Sequence, residues 1–147
     1  MRVAVLGSGH SCGTPLVGAG WADCDPENPR NQRLRPSIMV EEGDTRLLVD
    51  TSPDLRQQLL RAGVSTLDAV LYTHAHADHL HGIDDLRAVN NIVNGFLPAY
   101  ADAETWRVIG ERFGYVLEPL AADATFHYKP CLEPHTVRPG ETFDAAG

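Results

Sequence analysis

The 147-residue sequence has few cysteines and no long apolar run. Its three cysteines, Cys12, Cys24 and Cys131, are odd in number and widely separated, which favours reduced thiols in the cytoplasm over a disulfide framework. No segment approaches the ~20 apolar residues needed to cross a bilayer, and the apolar run at the N-terminus is too short for a signal peptide. We therefore expect a cytoplasmic protein that has no membrane partner.

Positive charge is also scarce. The 12 lysine and arginine residues form no cluster and are outnumbered by 20 acidic residues, so the formal net charge is −8. This balance argues against nucleic acid as a partner. It does not exclude a small phosphate-ester substrate, because bound metal ions supply their own local positive charge. The length and the 43% hydrophobic content are those of one globular domain, which we place at 1–147.

Strands and helices alternate in the secondary structure that the apolar periodicity predicts. Ser52 and Asp102 are the expected N-caps of two helices, and a third helix is expected over 82–91. The segment 7–36 is rich in Gly, Pro, Asn and Asp and is predicted to be a long loop, a feature that is commonly functional. Strands are expected at 2–6, 37–41, 46–50, 69–73, 97–101, 125–128 and 136–138.

Four potential metal ligands lie within six residues, directly after the strand predicted at 69–73: His74, His76, Asp78 and His79. Side chains at i and i+2 of an extended segment project the same way, so His74 and His76 can converge on one point. Asp78 and His79 face a second point as the chain turns into the next helix. Imidazole is a ligand for zinc, iron, copper and nickel, and a carboxylate adds manganese. The motif therefore predicts two half-sites for two neighbouring divalent metal ions.

This motif resembles the His-x-His-x-Asp-His signature of the metallo-β-lactamase-fold hydrolases. The strand end at 48–51 resembles the second landmark of that family, in which an aspartate, here Asp50, braces the histidine loop. The segments 7–15, 31–37 and 82–87 look like the branch that contains the phosphoribosyl 1,2-cyclic phosphate phosphodiesterase. The resemblance implies an α/β fold, the αββα sandwich. The chain looks like its N-terminal half, a mixed sheet with helices on one face.

The roles of the family can be placed on individual residues where the motif matches. The resemblance implies that His74 and His76 bind a first metal ion and that Asp78 and His79 bind a second. Zinc is the expected metal, with manganese or iron as alternatives. Asp78 would also act as a catalytic residue that orients the attacking hydroxide, and Asp50 would hold a ligand histidine in one tautomer. The implied reaction is attack of a metal-activated hydroxide on a small cyclic or diester phosphate.

Further side chains are candidates for the rest of the site. The family takes a further histidine, a bridging aspartate and a last histidine from the second half of its fold, for which His127 and His135 are possible substitutes here. His10 lies near the site in sequence. Candidates for substrate contact, each with a solvated or structural alternative, are Arg33, Arg35, Arg87 and His81.

Three functions remain open from the sequence. The first is a metal-dependent phosphodiesterase. The second is a catalytically silent metal-binding or interaction fragment, because the chain carries only half of the family's ligand set. The third is a hydrolase similar to the tRNA-processing endonucleases of the same superfamily, against which the acidic charge argues. Half a sandwich would also expose one apolar sheet face, to be covered by a homodimer partner or by a missing C-terminal half.

Overall fold

The computed structural model describes residues 1–145, and residues 146–147 of the predicted domain lie outside the described range. Within this range the chain forms one sheet with helices packed on it. The strands are β1 (Arg2–Gly7), β2 (Ser37–Glu42), β3 (Thr45–Val49), β4 (Ala69–Leu71), β5 (Leu97–Ala101) and β6 (Leu132–Thr136). The helices are α1 (Leu55–Ala62), α2 (Ala77–Leu80), α3 (Leu86–Val93) and α4 (Ala103–Phe113).

The strands lie side by side in the order of the sequence, from β1 to β6. β1, β2 and β3 pair antiparallel, whereas β3, β4, β5 and β6 pair parallel. Parallel neighbours need a crossover connection, which α1, α3 and α4 provide. The register aligns Met39, Leu48, Val70 and Ala99 across four strands. The mixed α/β sheet expected from the sequence is confirmed.

The aligned row forms the covered face of the sheet. Its four side chains are fully buried and belong to one apolar cluster. Burying a single leucine or valine in this way contributes about 1.5–3 kcal/mol. The helices contribute their apolar stripes to the same cluster, through Leu55 and Leu59 of α1, Leu86 and Val89 of α3, and Ile109 of α4. The helices are therefore fixed on this face of the sheet, as expected.

The opposite face of the sheet is apolar but open. Val3 pairs with Val40 and Val5 pairs with Ile38, and residues that pair directly project from the same face. Val3 is 52% exposed and Val5 is 66% exposed. The exposed apolar face expected of half a sandwich is present.

The start of α1 differs from the sequence expectation. The helix begins at Leu55 and its N-cap position is Asp54, so the prediction of Ser52 as the N-cap was wrong. The Ser52 hydroxyl instead bonds the Gln58 side chain at 3.0 Å and accepts from the Asp54 amide at 3.2 Å. Ser52 thus stabilises the turn before the helix rather than its first turn.

The helix expected over 82–91 starts as a 3-10 turn, Ile83–Asp85, and continues as α3 to Val93. Gly82 precedes it, and the backbone approach there requires a glycine. A Cβ at this position would lie 1.9 Å from the Ser52 carbonyl oxygen. The Gly82 amide donates to the Thr51 carbonyl at 2.9 Å. The chain after the histidine motif is consequently packed directly on the end of β3.

The C-terminal strands predicted at 125–128 and 136–138 were misplaced. The segment 125–128 forms bends, and β6 lies at Leu132–Thr136. The His127 amide donates to the side-chain oxygen of Asn91 at 2.9 Å, and the Asn91 amide nitrogen donates to the His127 carbonyl at 2.8 Å. These bonds occupy the backbone groups that a strand would use.

The segment 8–36 is a long loop, as predicted, apart from a 3-10 turn at Pro29–Asn31. Backbone bridges join Thr14 to Arg33 and Leu16 to Gly20, so the loop folds back on itself. No helix in the described part of the chain has the length and apolar character needed to span a membrane.

Candidate metal centre

The histidine motif begins where β4 ends and is held against the end of β3. The Asp50 amide donates to the Leu71 carbonyl at 2.8 Å, and the Thr51 amide donates to the His79 carbonyl at 2.8 Å. α2 starts inside the motif, so the chain turns between its second histidine and its aspartate. The two strand ends and the motif therefore form one hydrogen-bonded unit.

Asp50 links this unit through its carboxylate. The residue is 4% exposed, and its φ of 64° is left-handed, a conformation that aspartate adopts more readily than most residues. Oδ1 accepts from the Thr73 amide at 2.8 Å, and Oδ2 lies 2.7 Å from His79 Nδ1. An ionised carboxylate only accepts hydrogen bonds, so His79 carries its proton on Nδ1. The lone pair of His79 is then on Nε2, where a metal ion could use it.

Thr73 extends the same arrangement to a second histidine. Its hydroxyl donates to Asp50 Oδ2 at 2.8 Å, so the Thr73 oxygen accepts from His74 Nδ1 at 2.9 Å. His74 is therefore also protonated on Nδ1 and keeps its lone pair on Nε2. Asp50 sets the tautomer of His79 directly and that of His74 through Thr73. Thr73 was not among the predicted site residues, although its position directly before the motif was an available signal.

Three imidazoles of the motif cluster closely. The ring centre of His74 lies 4.5 Å from that of His76 and 4.1 Å from that of His79. Burial lowers the pKa of His74 below its ordinary value, and the neighbouring rings of His79 and His76 lower it further. Neutral imidazole is the form that binds metal ions. The local electrostatics thus favour the form of His74 that a metal site requires.

Asp78 lies beside His79. Its Oδ2 is 3.4 Å from His79 Nε2. Two donors bound to one tetrahedral zinc ion at ordinary bond lengths lie about 3.3 Å apart. The pair therefore fits a shared cation in its present conformation, and its nitrogen and oxygen donors suit zinc, manganese or iron.

The donor set within the described residues is incomplete. Between residues 1 and 145, no three His, Cys, Asp or Glu side chains are arranged to hold one metal ion. Catalytic zinc sites use three protein ligands, and structural sites use four. His127 is buried beside α3, and His135 is stacked on Tyr100 with ring centres 4.9 Å apart. Neither substitute histidine completes a three-ligand group.

Arg35, predicted as a substrate contact, is engaged in holding the long loop to α1. Its Nη1 donates to Asp54 Oδ1 at 2.8 Å, its amide donates to Asp54 Oδ2 at 2.8 Å, and its carbonyl accepts from Gln58 Nε2 at 2.8 Å. Nε also donates to the Ser11 carbonyl at 3.2 Å. These contacts give Arg35 a structural role, which was the open alternative.

The other predicted substrate contacts lie apart from the motif or at its end. Arg33 is exposed and donates to the Arg30 carbonyl at 3.4 Å. Arg87 lines an apolar groove between α1 and α3, not the histidine cleft. The exposed ring of His81 contacts the edge of Phe113, with ring centres 5.4 Å apart. In the loop, exposed His10 accepts at Nδ1 from the Cys12 amide at 3.2 Å.

A cleft of about 380 Å³ lies beside the motif. Residues 74–77 form one wall. The other wall is the N-cap and one face of α4, with Asp102, Glu104, Thr105, Val108 and Arg112. None of these α4 residues was predicted to be functional, because nothing in the sequence shows that α4 packs beside the motif. Helical periodicity alone could have grouped positions 104, 108 and 112 on one face.

The sequence and the fold of the chain both match known proteins. The family model for the beta-lactamase superfamily domain matches residues 45–147. The chain belongs to this superfamily. A solved superfamily structure, a new diphosphatase from the PhnP family, is 39% identical to the chain, with a TM-score of 0.78, and the match covers 92% of this chain and 50% of that one. The metallo-β-lactamase fold predicted from the motif is confirmed.

Two further proteins match this member of the superfamily, each over a different share of its own length. An octanoyltransferase of Porphyromonas gingivalis is 39% identical over 147 residues, which cover 99% of this chain but 29% of that protein. The structure of Zn(2+)-bound PqqB from Methylobacterium extorquens is 24% identical to this chain with a TM-score of 0.72, and it shows the fold. The match covers 48% of the PqqB chain. The chain thus spans about half the length of the solved relatives it matches, or less for the curated one.

Proposed function

We propose that the chain forms part of a metal-dependent hydrolase that acts on a small cyclic or diester phosphate. The observation that carries this proposal is the bonded network in which Asp50 sets the tautomers of His79 and His74. A carboxylate that orients histidines in this way is the usual support for metal-ligating imidazoles. The similarity to a diphosphatase supports phosphorus as the reacting centre.

The residues present fit a divalent cation. His74 and His79 have Nε2 lone pairs available, and Asp78 adds a carboxylate 3.4 Å from His79 Nε2. We assign His74 and His76 to one metal ion and Asp78 and His79 to its neighbour, with zinc as the expected element. Bound there, the ions would supply water activated for attack at neutral pH and a positive charge for the phosphate.

The protein side chains then have separate tasks. Asp50 keeps the imidazoles in the metal-binding tautomer without touching the substrate. Asp78 is the catalytic candidate, since a carboxylate at the metals can also accept a hydrogen bond from the attacking water. Asp50 is buried at the end of β3, and the bond from the Thr51 amide to the His79 carbonyl ties α2, which carries Asp78, to the same strand end, so little reorganisation is required when the substrate binds.

The remaining ligands are proposed to come from protein that covers the open sheet face. The described residues contain no three-ligand group, and Val3 and Val5 leave an apolar surface exposed. A C-terminal half that forms the second layer of the sandwich would supply both the ligands and the cover. A homodimer partner is the alternative source.

We infer that the protein acts in a reducing compartment on a small-molecule substrate. All three cysteines are free, which supports a cytoplasmic location. The net charge of −8 favours a small phosphate ester over nucleic acid. A ribonuclease Z of Bradyrhizobium diazoefficiens is 43% identical, but over only 60 residues that cover 40% of this chain.

The test is metal content together with turnover. The protein as it occurs in the cell, purified with zinc, is expected to retain near two ions per chain and to hydrolyse bis(p-nitrophenyl) phosphate. The His76→Ala variant should fold normally, lose metal and lose activity. Hydrolysis that survives this substitution would remove the metal pair from the mechanism.

A second candidate function is a metal-binding or interaction fragment without catalysis. The incomplete donor set within residues 1–145 favours it for the chain in isolation. In that case the isolated 147-residue chain should bind zinc weakly and show no turnover. Full activity of that isolated chain would exclude the fragment interpretation.

A further inference from the structure

One arginine in the histidine cleft has no acidic partner among the described residues. Arg112 lines the cleft of about 380 Å³ together with His74 and His76. The ion pairs found between residues 1 and 145 involve other cations. A guanidinium is always charged and has five N–H donors in a geometry that matches phosphate. Its charge is thus available to a ligand in the cleft.

Arg107, on the same helix, shows the contrast. Its guanidinium donates to both carboxylate oxygens of Glu104, at 2.9 and 2.7 Å, and also bonds Glu111. These acids lie three and four residues away, the spacing at which helical side chains meet. The corresponding neighbours of Arg112 are Val108, Ile109, Tyr115 and Val116, none of which is acidic. The sequence of α4 therefore pairs one arginine and leaves the other unpaired.

The acids that line the cleft are at its other end and are already engaged. Asp102 caps α4 by accepting from the Thr105 amide at 2.7 Å, and Glu104 is bound by Arg107. Glu104 and Arg112 are eight residues apart, about 12 Å along the helix axis. The wall of the cleft that α4 forms is thus acidic at the start of the helix and basic at its end.

The end of α4 is fixed relative to the motif. Phe113, next to Arg112, contacts the ring of His81, which closely follows the motif. The Tyr115 hydroxyl donates to Asp84 Oδ1 at 2.7 Å and ties the following turn to the 3-10 turn before α3. These two contacts, both with residues that follow the motif, hold the backbone beside Arg112 against the end of the motif.

We infer that Arg112 binds an anionic group of the substrate that is separate from the phosphorus attacked at the histidine motif. This inference rests on the proposed function and names its substrate class: a phosphate ester or anhydride that carries a second negatively charged group. A neutral or singly charged diester would leave Arg112 unused. Arg112 is then a specificity-determining residue and takes no part in bond cleavage.

The experiment compares Arg112→Met with Arg112→Lys and with the matched control Arg107→Met. Inorganic pyrophosphate is the probe, because it presents two linked anionic groups. Its dissociation constant is measured by calorimetry on the zinc-loaded protein as it occurs in the cell. Its inhibition constant is measured against bis(p-nitrophenyl) phosphate, and thermal unfolding by circular dichroism checks each fold.

Arg112→Met should weaken pyrophosphate binding by about tenfold or more, the effect of one lost charge-assisted hydrogen bond. Arg112→Lys should recover part of this loss and Arg107→Met should show none, whereas the KM for the singly charged diester should change much less in Arg112→Met than the dissociation constant of pyrophosphate. Unchanged pyrophosphate binding in Arg112→Met would overturn the inference. An equal loss for pyrophosphate and diester would also overturn it, since Arg112 would then serve the reacting phosphate or the fold. If the wild-type protein binds pyrophosphate through Arg112 but hydrolyses no diester, the proposed function fails and the Arg112 assignment stands.

Discussion

Replacing Asp50 by asparagine isolates its electrostatic role from its backbone role. Asparagine adopts the left-handed conformation that Asp50 has at φ 64°, and its side-chain oxygen can still accept from the Thr73 amide. Its amide nitrogen, however, replaces Oδ2, the atom that receives the protons of Thr73 Oγ1 and His79 Nδ1. An amide donor there forces His79 to accept at Nδ1 and to carry its proton on Nε2. The metal-binding lone pair is lost.

The expected magnitudes follow from these contacts. Loss of a charge-assisted bond to a buried carboxylate should lower the free energy of unfolding of Asp50→Asn by about 1.5–3 kcal/mol, measured by urea denaturation. Zinc affinity, measured by competition with a chromophoric chelator, should fall about 10–100-fold, as for other residues that orient metal-ligating histidines. Asp44→Asn, at an exposed turn acid, is the matched control and should change neither quantity. Wild-type zinc affinity in Asp50→Asn would refute the tautomer argument.

Four further predictions test other parts of the account. Thr73→Val should keep the contact between Asp50 and His79 but remove the hydroxyl that bonds His74, so zinc affinity should fall by less than in Asp50→Asn. An equal or larger fall would contradict the role of Thr73 as the link between Asp50 and His74. Gly82→Ala should destabilise the fold by about 1–3 kcal/mol in urea, because its Cβ would meet a backbone oxygen at 1.9 Å; a neutral result would contradict that close approach. Asp102→Ala should cost about 1 kcal/mol through the lost helix cap, and an unchanged urea midpoint would show that the cap is dispensable. The capping bond from the Thr105 amide holds the pKa of Asp102 below its usual value. The stability that the Asp102 carboxylate contributes is therefore present above its unfolded-state pKa and is lost as the pH falls through its folded-state pKa. The difference in free energy of unfolding between the wild type and Asp102→Ala should consequently shrink in acid.

The sequence was sufficient to predict the strands that surround the motif. β2 and β3 were expected at 37–41 and 46–50, and the structure has them at Ser37–Glu42 and Thr45–Val49. β5 was expected at 97–101 and has those bounds, because its apolar run is followed by the capping residue Asp102. Strand and cap positions of this kind are determined by a few neighbouring residues and do not depend on the rest of the fold.

Features that depend on distant contacts could not be predicted. The segment 125–128 has the composition of a strand, but Asn91 of α3 takes the backbone bonds of His127. Arg35 was a candidate for substrate contact with a structural role as its alternative, and Asp54 at the N-cap position of α1 engages it. Arg112 entered no prediction, since only the packing of α4 against the motif brings it into the cleft.

Anomalous diffraction at the zinc edge tests the central claim most directly. Crystals of the protein as it occurs in the cell, grown with zinc, should show two anomalous peaks at the motif. One should lie about 2.0–2.1 Å from His79 Nε2 and a similar distance from an Asp78 oxygen, and the other should lie near His74 and His76. A zinc-soaked crystal that has no peak at these four side chains would contradict the account.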